Sequence, residues 1–134
     1  MPRKQYSKKL SHLDVLRLFD EGRYSLDPDT GIIYSRKGKE LYTYVGDKTD
    51  VNDKRKWVRL YAAPGHRAMA VANVVWIVMT RCEIPAGCEI HHDNENEEDN
   101  RFSNLFCIHG KDHNRLHAMR RRLLGAAVED DTPF

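Results

Sequence analysis

No run of about 18 apolar residues occurs anywhere in the chain, so nothing in it reads as a membrane-spanning helix. The basic opening Met1-Pro2-Arg3-Lys4 is not followed by the apolar stretch of roughly 7–15 residues that a secretory signal requires, so no leader is expected. Cysteine is scarce. Cys82, Cys88 and Cys107 are odd in number and contain no CxxC pair, which argues against a disulfide framework and for a reducing, cytoplasmic setting. Internal repeats are absent as well. Net charge is small, +2, so bulk electrostatics do not diagnose a nucleic-acid partner. What is present suits a soluble globular protein: 40% apolar and 31% charged residues in 134, a length that bounds the chain to one domain with a single modest core.

Charge is clustered even though its sum is small. Arg3, Lys4, Lys8 and Lys9 crowd the N-terminus, and basic runs recur as Arg36-Lys37-Gly38-Lys39, Lys54-Arg55-Lys56 and Arg120-Arg121-Arg122. Against them stand Glu95, Glu97, Glu98 and Asp99, and the acidic tail Glu129-Asp130-Asp131. Clustered Lys and Arg are the footprint of a phosphate-backbone binder, with a solvated surface as the plain alternative.

The pattern along the chain predicts a flexible basic arm over 1–9 and an extension of helix and hairpins over 10–87. Leu10, Leu13, Leu16 and Leu18-Phe19 fall at helical spacing, giving a helix over about 10–20 that stops near Gly22. Tyr24 to Tyr34 reads as a β-hairpin around the turn Asp27-Pro28-Asp29-Thr30-Gly31. Residues 35–56 read as polar and irregular. Trp57 to Tyr61 alternates as a strand, Pro64-Gly65 turns, and Met69 to Met79 reads as a short strand entering a buried helix that ends near Arg81. Strands are then expected over 88–92 and 105–108, with an acidic polar loop between them that points outward. A helix over 111–124 is stopped by Gly125, and a disordered acidic tail covers 125–134. Trp57 and Trp76 read as core anchors and the three cysteines as core filling. His12 and His66 read as surface residues, and His109 as a polar residue at a strand end.

The chemistry concentrates in His91, His92, Asn104, His113 and His117. Residues 113 and 117, four apart in an expected helix, project from one face and can share a metal. His91 and His92 are consecutive in an expected strand and point to opposite sides, so His91 can join that pair while His92 stays off the metal. Three imidazoles with an open fourth position form the ligand set of a catalytic site. An HxxxH pair alone is weak; the combined spacing HH-x11-N-L-x7-H-x3-H is far more restrictive.

Glu89-Ile90-His91-His92-Asp93-Asn94-Glu95-Asn96, Asp99-Asn100-Arg101, Asn104-Leu105, His113 and His117 together resemble the HNH, or ββα-metal, endonucleases. Similar to phage and homing-type members are also the Asp27 to Gly31 turn and the lead-in Trp76 … Pro85-Ala86-Gly87, so the likeness covers about 13–117. The sequence departs from the family pattern at Asn94-Glu95 and at Asp99. The resemblance implies a small α+β domain with a ββα-metal (His-Me finger) core over 88–124, acting on double-stranded DNA as monomer or homodimer. His92 and Asn104 would be its catalytic pair, His92 as general base and Asn104 bracing the loop that orients it. His91, His113 and His117 would hold one divalent ion, with Zn²⁺ the expected bound species and Mg²⁺, Mn²⁺ or Ni²⁺ alternatives for activity. Arg101, Arg115, Arg120, Arg121 and Arg122 are candidate DNA contacts, and a phage or mobile-element origin is implied.

A competing reading is a non-catalytic, zinc-stabilised DNA-binding module using Cys82, Cys88, His113 and His117. Its spacing, C-x5-C-x24-H-x3-H, fits no finger pattern and leaves His91, His92 and Asn104 without a role. The nuclease reading makes a prediction. A free imidazole titrates at about pH 6.5 and acts as a base only when neutral. DNA cleavage should therefore fall as pH is lowered from 8 to 5 in a series of initial-rate measurements, and a flat profile would exclude His92 as the base.

Overall fold

The computed structural model describes residues 10–46, 49 and 53–110. The expected arm over 1–9, the expected helix over 111–124 with His113, Arg115, His117 and Arg120 to Arg122, and the expected tail over 125–134 lie outside the described residues.

Leu10 anchors the start of this region by donating its N–H to the carbonyl of Ala68, 2.9 Å away. Helix α1 (His12–Asp20) follows, capped by Ser11, whose hydroxyl accepts the N–H of Asp14 at 3.1 Å. It buries Val15 and Leu18 but not Leu13, which is 63% exposed, so the apolar face is narrower than the leucine spacing predicts. Strands β1 (Tyr24–Asp27) and β2 (Ile32–Ser35) form the expected hairpin. Its turn closes through Asp27, whose carboxylate accepts the N–H of Asp29 at 3.0 Å and whose carbonyl accepts that of Gly31 at 2.8 Å.

Among the described residues of the segment expected to be irregular is a further strand, β3 (Thr43–Val45). It pairs antiparallel with β4 (Lys56–Ala62), which pairs in turn with β5 (Gly65–Ala70). A three-residue strand has no periodicity of its own to read; its partner defines it. Alternation along β4 sends Val58, Leu60 and Ala62 inward and Arg59 and Tyr61 outward. Trp57 shares the outward phase, with Gly46 so close to its indole that a Cβ there would meet the ring. The core-anchor expectation is therefore wrong for Trp57, whereas Trp76 does pack on the core.

Helix α2 (Val71–Thr80) continues directly from β5 and buries Val71, Ala72, Val74, Val75 and Ile77. A helix apolar nearly all round must be enclosed. It is: α2 contacts α1, β4 and β5, and also the second hairpin of β6 (Cys88–His92) and β7 (Leu105–His109). It ends at Arg81, which takes the left-handed conformation (φ 60°) and donates its N–H to the carbonyl of Ile77. One cluster of buried side chains runs from Leu10 through Leu60 and Ile77 to Ile90 and Leu105, joining the extension to the β6–β7 hairpin. Among the described residues no helix is long and apolar enough to cross a membrane.

Leu60 is fully buried at the centre of this cluster. Leu60→Ala should lower the unfolding free energy by about 2–5 kcal/mol, the range for leucine truncation in a packed core, as read from urea denaturation. A loss below about 1 kcal/mol would show that the sheet and α2 are not packed as described.

Candidate active site

Strands β6 and β7 pair in full register, from Cys88 opposite His109 to His92 opposite Leu105. Consecutive strand residues face opposite sides, so His91 and His92 leave the hairpin in opposite directions. Both are buried, at 7% and 4% exposure. The His91 ring stands edge-on to Phe106, its cross-strand partner, with centroids 4.8 Å apart. On the other side, Nε2 of His92 lies 2.8 Å from Oδ1 of Asn100, itself only 6% exposed. An amide oxygen can only accept, so this contact calls for the proton on Nε2, and in the neutral ring Nδ1 then keeps its lone pair.

Asn104 ends the short 3₁₀ turn Phe102–Asn104 and ties together the loop between the strands. Its Oδ1 accepts the N–H of Asn94 at 3.1 Å, and its Nδ2 donates to Oδ1 of Asn94 and to the carbonyl of Asp99, both at 2.9 Å. Its own carbonyl accepts the N–H of Asp93 at 2.8 Å, extending the strand ladder by one bond. Asn94 in turn donates to the Asp99 carboxylate at 2.8 Å and accepts the N–H of Asn96 at 2.9 Å. Asn104 thus holds the loop, while the side chain that touches His92 is Asn100. Sequence alone assigns Asn100 no role; its local signal is its position between Asp99 and Arg101 in the motif.

The acidic loop points outward as expected, with residues 93–96 and 98 exposed, and several of its carboxylates are also engaged by the protein. Arg101 holds Asp99 with two bonds of 2.7 Å, Glu97 accepts the N–H of Lys54 at 3.1 Å, and Glu98 lies 3.9 Å from Nζ of Lys56. The Arg101 guanidinium, helped by the Asn94 amide and opposed by partial burial, holds the Asp99 carboxyl well below the usual carboxylate range. Arg101 is half exposed at the rim of the site.

Other expectations are revised. Half-buried His12 is not an unpartnered surface residue: its Nδ1 accepts the N–H of Ile84 at 3.1 Å. His66 is exposed, as expected, with its ring edge against Tyr61. Cys82 is exposed and fills no core, while half-buried Cys107 packs on the core beside Cys88. Burial first, then the neighbouring Cys88, pushes the Cys107 thiol up from its ordinary value. Among the described residues no group of three or more His, Cys, Asp or Glu is placed to hold an ion. Of the expected ligand set, His91 falls within them, and 113 and 117 lie outside.

The site thus consists of a two-stranded hairpin bearing adjacent histidines, a braced loop and an asparagine at its return. Residues 72–115 match the family model described as HNH endonuclease. A solved structure described as "DNA binding and cleavage by the HNH homing endonuclease I-HmuI" is similar over 74% of this chain and 53% of its own, with a TM-score of 0.59 and 23% identity. The chain thus spans about half the length of that protein, and the likeness establishes a shared α+β fold. No match was found among curated proteins.

Removing the Arg101 guanidinium should return Asp99 towards its ordinary range, seen as a raised midpoint in a ¹³C carboxyl titration of Arg101→Ala. A carboxyl whose folded value is depressed stabilises the fold above its unfolded value of about 3.9 and loses that contribution as pH falls through the folded value. The variant should therefore lose its Asp99 contribution at a higher pH on the acid limb than the parent. An unmoved Asp99 midpoint would mean that the pair does not persist in solution.

Proposed function

We propose that the protein is a metal-dependent endonuclease that hydrolyses phosphodiester bonds of double-stranded DNA, with His92 as general base. The observation that carries this reading is the bond from Nε2 of His92 to Asn100, which leaves Nδ1 as the proton acceptor. Phosphodiester hydrolysis needs a water made nucleophilic near neutral pH, and an imidazole of fixed tautomer suits that task. Nδ1 takes the proton of the attacking water as its oxygen bonds to phosphorus, and the 3′-oxygen departs, leaving a 5′-phosphate.

The residues fit a metal as a ligand set rather than as a described cage. His91 offers a buried imidazole on the side of the hairpin away from His92, and His113 and His117 would complete three nitrogen donors. Such a divalent ion, zinc or a harder cation, would supply charge stabilisation at the phosphoryl oxygen and the departing 3′-oxygen. Asn104 acts as a positioning residue by holding the loop return. Arg101, Arg115 and Arg120 to Arg122 would meet backbone phosphates, with the charge of Arg101 partly offset by Asp99. One His92 per chain implies nicking by a monomer and double-strand cuts through a homodimer or a second encounter.

The test is cleavage of supercoiled plasmid with Mg²⁺, Mn²⁺, Ni²⁺ or Zn²⁺. Cleavage should be abolished by a chelator and reduced about 10²–10⁴-fold in His92→Ala, the usual weight of a general base, with the circular dichroism spectrum unchanged. Wild-type rates in His92→Ala would refute the assignment.

A further inference from the structure

The turn of the N-terminal hairpin reaches the base through Asn100. We propose that Asn100 is the residue that orients His92 and that the β1–β2 turn, at Pro28 and Gly31, holds Asn100 in place. The inference rests on the reading of His92 as the general base, but its geometric part can be tested without that reading.

Two buried asparagines are candidates for orienting the imidazole, and the bonds separate them. The Asn104 amide is engaged by the loop and makes no bond to His92. Its oxygen accepts from Asn94, and the two hydrogens of its amide nitrogen go to Asn94 and to the Asp99 carbonyl. Asn100 presents its oxygen 2.8 Å from Nε2 of His92 in a place where both residues are shielded from water. Solvent is poorly placed to substitute there, so the tautomer and rotation of the ring depend on this amide.

Asn100 sits in an irregular segment, and something must fix its backbone. That contact comes from far away in sequence. The carbonyl of Pro28 accepts the N–H of Phe102 at 3.0 Å, docking the turn onto the segment that follows Asn100. Gly31 lies flat against Asn100 itself. A Cβ at Gly31 would fall 2.6 Å from the Asn100 carbonyl carbon and 2.8 Å from its Cβ, nearer than packed atoms approach. Gly31 also holds φ +77°, a conformation that side chains disfavour, and the turn is locked by the two bonds to Asp27. Glycine there meets two demands, the turn and the close approach to Asn100. The N-terminal hairpin is on this account part of the active-site machinery.

The 134-residue chain, metal-free, is labelled with ¹⁵N-histidine, and the His92 ring is assigned by comparison with His92→Ala. The parent should show the Nε2–H tautomer. Asn100→Leu, similar in size but without an acceptor, should lose that preference, and Asn100→Asp, which keeps an oxygen at the same reach, should restore it. On plasmid DNA with Mg²⁺ or Mn²⁺, Asn100→Leu should lower kcat by about 10–100-fold, as expected for a residue that supports another, with KM little changed. Asn100→Asp should stay within a few-fold of the parent. Gly31→Ala should move the His92 ring resonances in the same direction as Asn100→Leu, whereas Gly22→Ala, a glycine of the same backbone type (φ +73°) with open space around it, should not.

An unchanged His92 tautomer and kcat in Asn100→Leu would overturn the proposal while leaving the nuclease reading intact. Ring resonances unmoved in Gly31→Ala would overturn the part played by the turn. Wild-type cleavage by His92→Ala would refute the base assignment, and with it Asn100's catalytic consequence; the ring spectra, which need neither metal nor cleavage, would still decide whether Asn100 orients the imidazole.

Discussion

Between the last residue of β6 and the first of β7 the chain must reverse without a tight turn, and the side chain of Asn104 makes that reversal possible. Loop backbone that is partly shielded from water has to find hydrogen-bond partners. Here the partners are amide side chains: Asn104 serves Asn94 and Asp99, and Asn94 and Asn96 serve the residues two positions ahead of them. This arrangement keeps the ends of both strands in register, and register determines where His91 and His92 project. A looser return would let the strands slip, and a slip of one residue would exchange the faces of the two histidines.

Charge follows the same economy. Five of the seven residues from Asp93 to Asp99 are acidic, a sequence that ought to repel a polyanion. Much of that charge is answered internally, by Arg101 on Asp99, by Lys56 near Glu98 and by the Lys54 amide on Glu97. Two of these partners precede or open β4, so the sheet of the extension and the site loop are joined by electrostatics as well as by the shared core. Helix α2 provides that core, apolar on nearly every side because it separates the sheet and α1 from the β6–β7 hairpin.

Much of the framework was legible in the order of residues. Alternation revealed β4, helical spacing revealed α1, turn chemistry revealed the first hairpin, and length separated the strand from the helix in the apolar stretch ending near Met79. The failures have physical causes. β3 is too short to carry a period and exists through its pairing with β4. Leu13 fits the spacing of α1 yet faces water, since the part of the helix surface that is covered depends on where α2 and β5 lie. Trp57 was assigned to the core by its chemistry, although its phase with Arg59 and Tyr61 placed it outside. His12 looked isolated because its partner, the Ile84 amide, is remote in the chain.

For the candidate site the division is sharper. That His91 and His92 sit in a strand and face opposite ways was determined by sequence alone, because strand alternation is a local property that needs no partner to be read. The spacing to Asn104 and to the later histidines likewise needed no coordinates. Which amide meets the ring of His92 was decided only by tertiary structure. That contact exists because a turn formed early in the chain packs against residues 100–102, and close approach between distant segments follows from how whole elements stack.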